Sequence, residues 1–309
     1  MASFSTACKK GGTKSNPSTL HPIVAGFVKI LSKIPLRGLY AFAEWVLYPV
    51  MYYVVRYRRG VVAKNLRLSF PDKTEAERQQ IAKQFYHSFA DVIVEIVHGY
   101  TASAEEMRQR VLFENEEQVK QLIAEHGAVI GMLAHMGNWE WMADFYQHLA
   151  PYGMLQANIY RRLKNERMDN LMNAVRSQRG GVLIEKQQVL RRMLSLRKEG
   201  QKVLYGFICD QKPRPQVTRC WTMFLHQDTG FLDGSEVLAK KFGYPVIYLH
   251  ITRPRRGYYV ARIDLITDRP EEEPENGITL RYAEMLEQNI LEQPELWLWT
   301  HNRWKWGRK

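Results

Sequence analysis

"GAVIGMLAHMGNWEW", residues 127–141, joins a short apolar run to a histidine, an asparagine, a carboxylate and two tryptophans. An apolar run bounded by glycine and polar residues is typical of a buried strand. Asn138 follows, and asparagine is a preferred residue at the N-cap of a helix. The stretch therefore predicts a strand, a loop that contains His135, and a helix with Glu140 in its first turn.

The rest of the chain repeats this alternation. Three further apolar runs predict strands: "KVLYGFI" (202–208), "PVIYLHI" (245–251) and "GYYVARIDLI" (257–266). Apolar residues recur at helical spacing in three other segments, at 73–100, 165–178 and 187–200. Strands that alternate with helices indicate an α/β fold, and we expect a mixed central sheet flanked by helices.

The N-terminal part has a different composition. We expect residues 1–34 to form a flexible tail with a basic segment, since apolar side chains are few at its start. Residues 38–55 are apolar or aromatic except for Glu44, and a membrane-spanning helix needs about 17 to 25 such residues. We predict a membrane anchor helix at 35–56, with an interfacial helix or a buried helix of a soluble core as alternatives.

Charge, motif content and cysteine content limit the classes of function that the chain can have. The chain has 44 Lys and Arg against 32 Asp and Glu, so its net charge of +12 favours anionic partners. No nucleic-acid-binding motif and no Gly-x-Ser-x-Gly nucleophile motif occurs, so we expect neither a nucleic-acid partner nor a serine hydrolase. The three cysteines lack metal-ligand spacing, and we expect a reducing compartment, no metal and no disulfide.

His135 and Glu140 suggest acid–base chemistry. A carboxylate that folds back to one ring nitrogen fixes the tautomer, and the other nitrogen then takes a proton from a hydroxyl. The spacing alone also fits a loop histidine whose hydrogen bond is simply satisfied by a neighbouring carboxylate.

Other segments make the combination more specific. They are "YRRLKNERMDNLMNAVRSQRGG" with Tyr160, Arg161, Asn165 and Arg179; "ICDQ" with Asp210 and Gln211; and "PELWLWTHNRWKW" near the C-terminus. From about Arg59 to Lys305 the chain resembles the late lipid A acyltransferases, the lauroyl and myristoyl acyltransferase family, within the lysophospholipid acyltransferase superfamily. In that family the motif His-x4-Asp/Glu is catalytic, and His135 with Glu140 matches it.

The resemblance implies an acyltransferase domain at 57–309. It would move an acyl chain directly from a thioester of acyl carrier protein or CoA to a hydroxyl of an anionic lipid, most simply a lipid A precursor of lipopolysaccharide. His135 would be the general base and Glu140 its orienting partner, with no cofactor beyond the thioester co-substrate. The predicted substrate-binding residues are Asn138, Tyr160, Arg161, Asn165, Arg179, Asp210 and Gln211.

Several alternatives stay open at this point. The family's Tyr-Arg-Pro is Tyr-Arg-Arg here, so another lysolipid or aminolipid remains an alternative acceptor. A catalytically silent membrane-surface protein of the same fold is another. The C-terminal tryptophans fit a lipid interface or core packing equally well. The expected location is the bacterial inner membrane, with the catalytic body in the cytosol.

Overall fold

Among the residues that the structure describes, seven strands form one sheet. The computed structural model describes residues 29–177, 180–213 and 215–305, without the side chains of Arg167, Met168 and Pro215. The strands of this sheet are β1 (Val111–Glu114), β2 (Ala128–Leu133), β3 (Met154–Tyr160), β4 (Val182–Glu185), β5 (Lys202–Ile208), β8 (Val246–Arg255) and β9 (Tyr258–Thr267). Their order in the sheet is β1-β9-β8-β2-β5-β3-β4. A separate hairpin consists of β6 (Cys220–Phe224) and β7 (Gln227–Phe231).

The sheet is mixed, as the sequence predicts. Strands β2, β3, β4, β5 and β8 run in one direction, and the hairpin that pairs β8 with β9 is antiparallel. Every residue of β2 is buried, because a central parallel strand is covered on both faces. The carboxyl ends of β2, β5 and β3 therefore lie side by side at one edge of the sheet.

Helices cover both faces of the sheet. They are α1 (Leu36–Phe42), α2 (Arg59–Ser69), α3 (Glu75–Gly99), α4 (Ala104–Arg110), α5 (Glu116–His126), α6 (Tyr146–Leu149), α7 (Glu166–Ser177), α8 (Val189–Lys198), α9 (Gly234–Phe242) and α10 (Gly277–Glu292). Helix α3 begins at a capping box in which Thr74 and Glu77 satisfy each other's backbone amides. The three predicted helical segments are thus confirmed as α3, α7 and α8.

The predicted membrane anchor has a different form. Helix α1 continues into two π-helical segments, Ala43–Leu47 and Val50–Val54. Within the described ranges, no helix is both long enough and apolar enough to cross a bilayer. The prediction of a membrane-spanning helix at 35–56 is therefore not supported.

One face of this segment is buried against α3. Its buried residues are Leu36, Leu39, Ala43, Tyr48 and Tyr52. Between Leu39 and Tyr52 they are four or five positions apart, which suits the wider turn of a helix with i→i+5 hydrogen bonds. The ring of Tyr48 stacks on that of His87 in α3, with centroids 3.6 Å apart. The opposite face is exposed, so this helix lies along the body of the protein.

The C-terminal tryptophans are largely part of the core. Trp297 and Trp299 are buried, and their rings meet edge to face with centroids 4.7 Å apart. Trp304 contacts Trp297 from the other side, whereas Trp306 lies outside the described residues. For Trp297 and Trp299 the structure thus favours core packing over a lipid interface.

Candidate active site

Strand register brings His135 and Asp210 together. In the parallel pair of β2 and β5, Gly131 is opposite Gly206 and Leu133 is opposite Ile208. Both strands end there, and His135 and Asp210 each follow two residues later. The amide of Cys209 donates to the carbonyl of Leu133 at 3.0 Å, which keeps the two chains aligned beyond the strand ends.

The His135 ring is held by Asp210 rather than by Glu140. Its Nδ1 atom lies 2.6 Å from Oδ1 of Asp210, and its backbone amide donates to Oδ2. Trp297 also donates to Oδ2, from Nε1 at 2.9 Å. An ionised carboxylate only accepts hydrogen bonds, so in the neutral imidazole the proton is on Nδ1 and the lone pair is on Nε2.

Electrostatics keep Asp210 ionised. Burial favours its neutral form, but the charge and hydrogen bond of His135 and the hydrogen bond from Trp297 outweigh it and lower the pKa to about 2. At neutral pH the site thus pairs a negative carboxylate with the imidazole. On the other side of the ring, Nε2 of Gln211 lies 3.2 Å from Nε2 of His135.

Glu140 contacts a different partner from the predicted one. Its two oxygens accept from Nε and Nη2 of Arg176 in α7, at 2.8 and 2.5 Å. Burial would lower the pKa of Arg176, but the hydrogen bonds and charge of Glu140 raise it. Nε1 of Trp139 donates to Glu140 at 3.2 Å, and the Trp139 ring meets the His135 ring edge to face. Glu140 therefore reaches His135 through Trp139, and its catalytic role stays a prediction.

Asn138 is a buried residue of the loop between His135 and Glu140, and it does not line the cleft described below. Its Oδ1 accepts from the amide of Trp141, which confirms the predicted cap, although the helix it begins is a 3₁₀-helix, Trp139–Phe145. Its Nδ2 donates to the fully buried Glu95 at 3.0 Å. This arrangement differs from the predicted contact with substrate, because both the oxygen and the nitrogen of the side-chain amide form hydrogen bonds within the protein.

Gly137 allows the loop to approach the sheet. It has a φ of +48°, and a Cβ atom there would lie 2.7 Å from the Tyr259 ring. The hydroxyl of Tyr259 donates to Glu95, as does that of Tyr40 from α1, both at 2.7 Å. Glu95 thus joins α1, β9 and the loop between His135 and Glu140.

A cleft of about 520 Å³ opens beside His135. Its walls come from the carboxyl ends of β2, β5 and β3, the 3₁₀-helix and α7, where an open α/β sheet usually binds its ligand. Most of the inner surface is apolar, with Leu133, Met142, Leu183, Leu204, Ile208 and Leu249. The cleft can therefore hold a hydrocarbon chain with one end at His135.

The outer part of the cleft is basic. Arg161, Arg162, Lys164 and Arg176 line it, together with the predicted residues Tyr160 and Gln211. Asp169 accepts from the amide of Leu163, at 2.7 Å, and so fixes this loop to α7.

Asn165, another predicted residue, lies outside the cleft. Asn165 is exposed, and its carbonyl accepts from the amide of Asp169 at the start of α7. It is not among the residues that line the cleft. Arg179 lies outside the described residues.

Sequence reasoning missed three residues of the site: Glu95, Arg176 and Trp297. The strand ends do carry a signal for the Asp210 pairing, since "GMLAH" (131–135) and "GFICD" (206–210) align position by position. Arg176 occupies the "NAVRSQRGG" segment that the resemblance includes, but nothing in the sequence distinguishes it from Arg179.

Comparisons with known proteins identify the family of this chain. The family model described as bacterial lipid A biosynthesis acyltransferase matches residues 14–306. The chain is 23% identical over 250 residues to the lipid A biosynthesis palmitoleoyltransferase of Escherichia coli strain K12, covering 80% of this chain and 79% of that protein. A lipid A biosynthesis acyltransferase of Shigella flexneri matches with the same identity and coverage. The chain therefore belongs to the bacterial lipid A biosynthesis acyltransferases and is an acyltransferase that acts in lipid A biosynthesis.

Proposed function

We propose that this acyltransferase moves a long fatty acyl chain from an acyl-thioester directly to a hydroxyl of a lipid A precursor, with His135 as the general base. The observation that carries the proposal is the Asp210–His135 hydrogen bond, which holds the ring through Nδ1 and leaves Nε2 as the nitrogen available to a substrate in the cleft. The name of the Escherichia coli relative favours palmitoleoyl as the acyl group.

The reaction needs no covalent enzyme intermediate. Nε2 of His135 takes the proton of the acceptor hydroxyl while the oxygen attacks the thioester carbonyl, and the imidazolium is stabilised by Asp210. The tetrahedral intermediate collapses, the carbon–sulfur bond breaks, and the thiolate takes the proton from His135. The products are the new ester and the free thiol of the carrier.

Gln211 has a defined role in these reaction steps. Its amide lies 3.2 Å from Nε2 of His135 and so occupies the position that the acceptor hydroxyl needs. The Gln211 side chain is exposed and free to turn away. Once turned, its amide donates to the oxyanion or to the acceptor.

The basic outer cleft fits anionic groups. Arg161 is exposed at the cleft and its guanidinium can bind a phosphate with two hydrogen bonds. Acceptor phosphate and the phosphopantetheine arm of the donor share this chemistry. On the sequence argument alone, we also propose Arg179 as a second residue that binds a phosphate group.

Turnover by variants tests the proposal. We expect His135→Ala to reduce acyl transfer from acyl carrier protein and from CoA by about 10² or more, the usual scale for a general base. His126→Ala, on the exposed end of α5, is the matched control. A folded His135→Ala enzyme with normal turnover would contradict the assigned base, and comparison of the two donors identifies the carrier.

We further propose that the enzyme attaches to the cytosolic surface of the inner membrane through the exposed face of α1 and the π-helical segments. This docking face consists of Phe42, Trp45, Val46, Val50, Tyr53 and Val54, with Trp45 79% exposed and Val54 74% exposed. Glu44 faces the body instead, where it pairs with His87 and Arg256. The docking face thus carries no charge and suits an interfacial helix.

Basic residues flank the docking face at both ends. Lys29, Lys33 and Arg37 precede it and Arg56 follows it, all exposed. Their charge complements anionic lipid headgroups. The partner that this surface fits is therefore an anionic bilayer.

Sedimentation with phosphatidylglycerol-containing vesicles tests the attachment without any turnover. Since each buried apolar side chain contributes about 1.5–3 kcal/mol, Trp45→Ser with Val54→Ser should weaken vesicle binding at least about tenfold. Leu112→Ser with Leu194→Ser, at exposed sites on β1 and α8, is the control. Equal binding by both double variants would contradict the docking face.

A further inference from the structure

Two glycines lie opposite each other in the floor of the cleft. Gly131 in β2 and Gly206 in β5 are paired in the parallel register, and both line the cleft. The same row continues into β3 at Asn158, which is opposite Gly206. At both positions the lining of the cleft is backbone, and we call this row the strip.

Apolar side chains border this strip. Leu133 and Ile208 lie two residues beyond the glycines on the His135 side, and Leu204 lies two residues before Gly206. Alternation along a strand directs all of them to the same face as the glycines. A side chain at Gly131 would project into the cleft beside Leu204.

The strip lies well away from the reacting atoms. Gly131 precedes His135 by four residues, a separation of up to about 13 Å in extended chain. An acyl chain with its thioester carbonyl at Nε2 of His135 would thus contact the glycines only with its distal part. A chain too short to extend that far would not reach the glycines.

We propose that Gly131 and Gly206 are specificity-determining residues, whose missing side chains admit the distal part of a long acyl chain. This inference rests on the proposed function, because it assumes that the chain enters the cleft from His135. It assigns Gly131 a role in substrate choice that its strand position does not require. Glycine at 206 is also needed because a Cβ atom there would lie 2.8 Å from Oδ1 of Asn158. Glycine otherwise weakens a strand interior, so its presence at two paired positions suggests close approach of another group.

The Gly131→Ala variant provides a direct test. A Cβ atom at Gly131 would lie 3.4 Å from Leu204 and from Leu249, which is ordinary contact, so the variant should fold. We expect the ratio of kcat/KM for palmitoyl over lauroyl thioester to fall about tenfold or more, the scale of one methylene in a hydrophobic pocket. Gly131→Val should lower the ratio further.

Gly234→Ala is the matched control. It makes the same change at the start of α9, where a Cβ atom would meet nothing within 4 Å, and Gly234 does not line the cleft. Its palmitoyl-to-lauroyl ratio should equal that of the wild type. An unchanged ratio in Gly131→Ala would overturn the inference, while thermal unfolding establishes that the variant is folded.

Binding of free palmitic and lauric acids, measured by calorimetry, separates this inference from the proposed function. We expect Gly131→Ala to weaken the binding of palmitic acid more than that of lauric acid, with or without turnover. If Gly131→Ala selectively weakens the binding of palmitic acid but the wild type transfers no acyl group, the proposed function is refuted and the inference about chain binding is kept. Equal loss for both acids, in an enzyme that transfers acyl groups, would refute the inference alone.

Discussion

Nδ1 of His135 lies 2.6 Å from Oδ1 of Asp210, although 75 residues separate the two in the chain. Each residue follows the end of a strand, and the two strands are neighbours in the sheet. The carboxylate therefore orients the imidazole from a rigid element, as a site that must hold catalytic geometry requires.

Asp210→Asn should lower kcat about 10²-fold or more while the protein remains folded. The amide has no charge to stabilise the imidazolium, and its NH₂ group can favour the wrong histidine tautomer. Asp264→Asn, which alters a carboxylate paired with Arg262 on β9, is the control. Steady-state kinetics check the result, and a kcat near that of the wild type would show that Asp210 does not orient the base.

The pairing of Glu140 with Arg176 gives a second prediction. Glu140→Gln leaves the largely buried guanidinium of Arg176 without its carboxylate, and loss of one partner of such a pair costs about 3 kcal/mol of unfolding free energy. Urea unfolding measures this cost. If Glu140 instead acts mainly in chemistry, the variant will keep wild-type stability and lose turnover.

A double-mutant cycle separates these roles. Glu140→Gln and Arg176→Met should be non-additive in unfolding free energy, because their side chains share two hydrogen bonds. Glu140→Gln and Asp210→Asn should be close to additive, since no shared hydrogen bond joins those carboxylates. A large coupling free energy between Glu140→Gln and Asp210→Asn would instead support the direct role of Glu140 in orienting His135 that the sequence predicted.

The sequence predicted the fold better than it predicted the partner of His135. Alternating apolar runs are a local signal, so β2, β5, β8 and β9 could be recognised. The order of strands in a sheet is not local, and only adjacency of β2 and β5 brings Asp210 to His135. Glu140 is close in sequence, but α7 supplies Arg176 as a competing partner.

The N-terminal helix is a second case in which contacts between distant segments could not be predicted from local sequence. Its composition alone fits a helix that spans a bilayer, lies on it or packs in a core. What distinguishes these cases is the contact of Tyr48 and Tyr52 with α3, which uses one face and leaves Trp45 exposed. That contact depends on a helix more than 20 residues further along the chain, which no window of local sequence contains.

Glu95 should act as a positioning residue for the catalytic loop. It accepts hydrogen bonds from Tyr40, Asn138 and Tyr259, and Glu95→Gln would place an NH₂ group against one of these donors. We expect kcat to fall about tenfold with little change in KM, because a shift of the loop misplaces His135 rather than the substrate groups. Tyr40→Phe should give a smaller loss in the same direction.

Glu106→Gln is the control for Glu95. Glu106 is a partly buried carboxylate that pairs with His98 and Arg110 away from the loop. Its kcat should match that of the wild type. An equal loss of stability in both variants with unchanged kcat in both would assign Glu95 a purely structural role.

His301 should make stability depend on acidity. Burial is the main cause that lowers its pKa to about 4; nearby Arg303, His135 and Lys212 add to this effect, and Asp210 opposes it. In the unfolded chain its pKa is about 6.5. Between these two values the unfolded state binds a proton that the folded state does not, so stability falls as the pH falls. Below about pH 4 both states are protonated, and this contribution declines no further.

His301→Gln removes this titration. Urea unfolding measures the free energy of unfolding of both proteins. As the pH is lowered from about 6.5 to about 4, the value for the wild type should fall relative to that for the variant. Asp210, with a pKa of about 2, contributes its own loss only at lower pH. His126→Gln, at an exposed site on α5, should keep the acid-dependent loss. Parallel curves for wild type and His301→Gln would show that His301 is protonated equally in the folded and unfolded states.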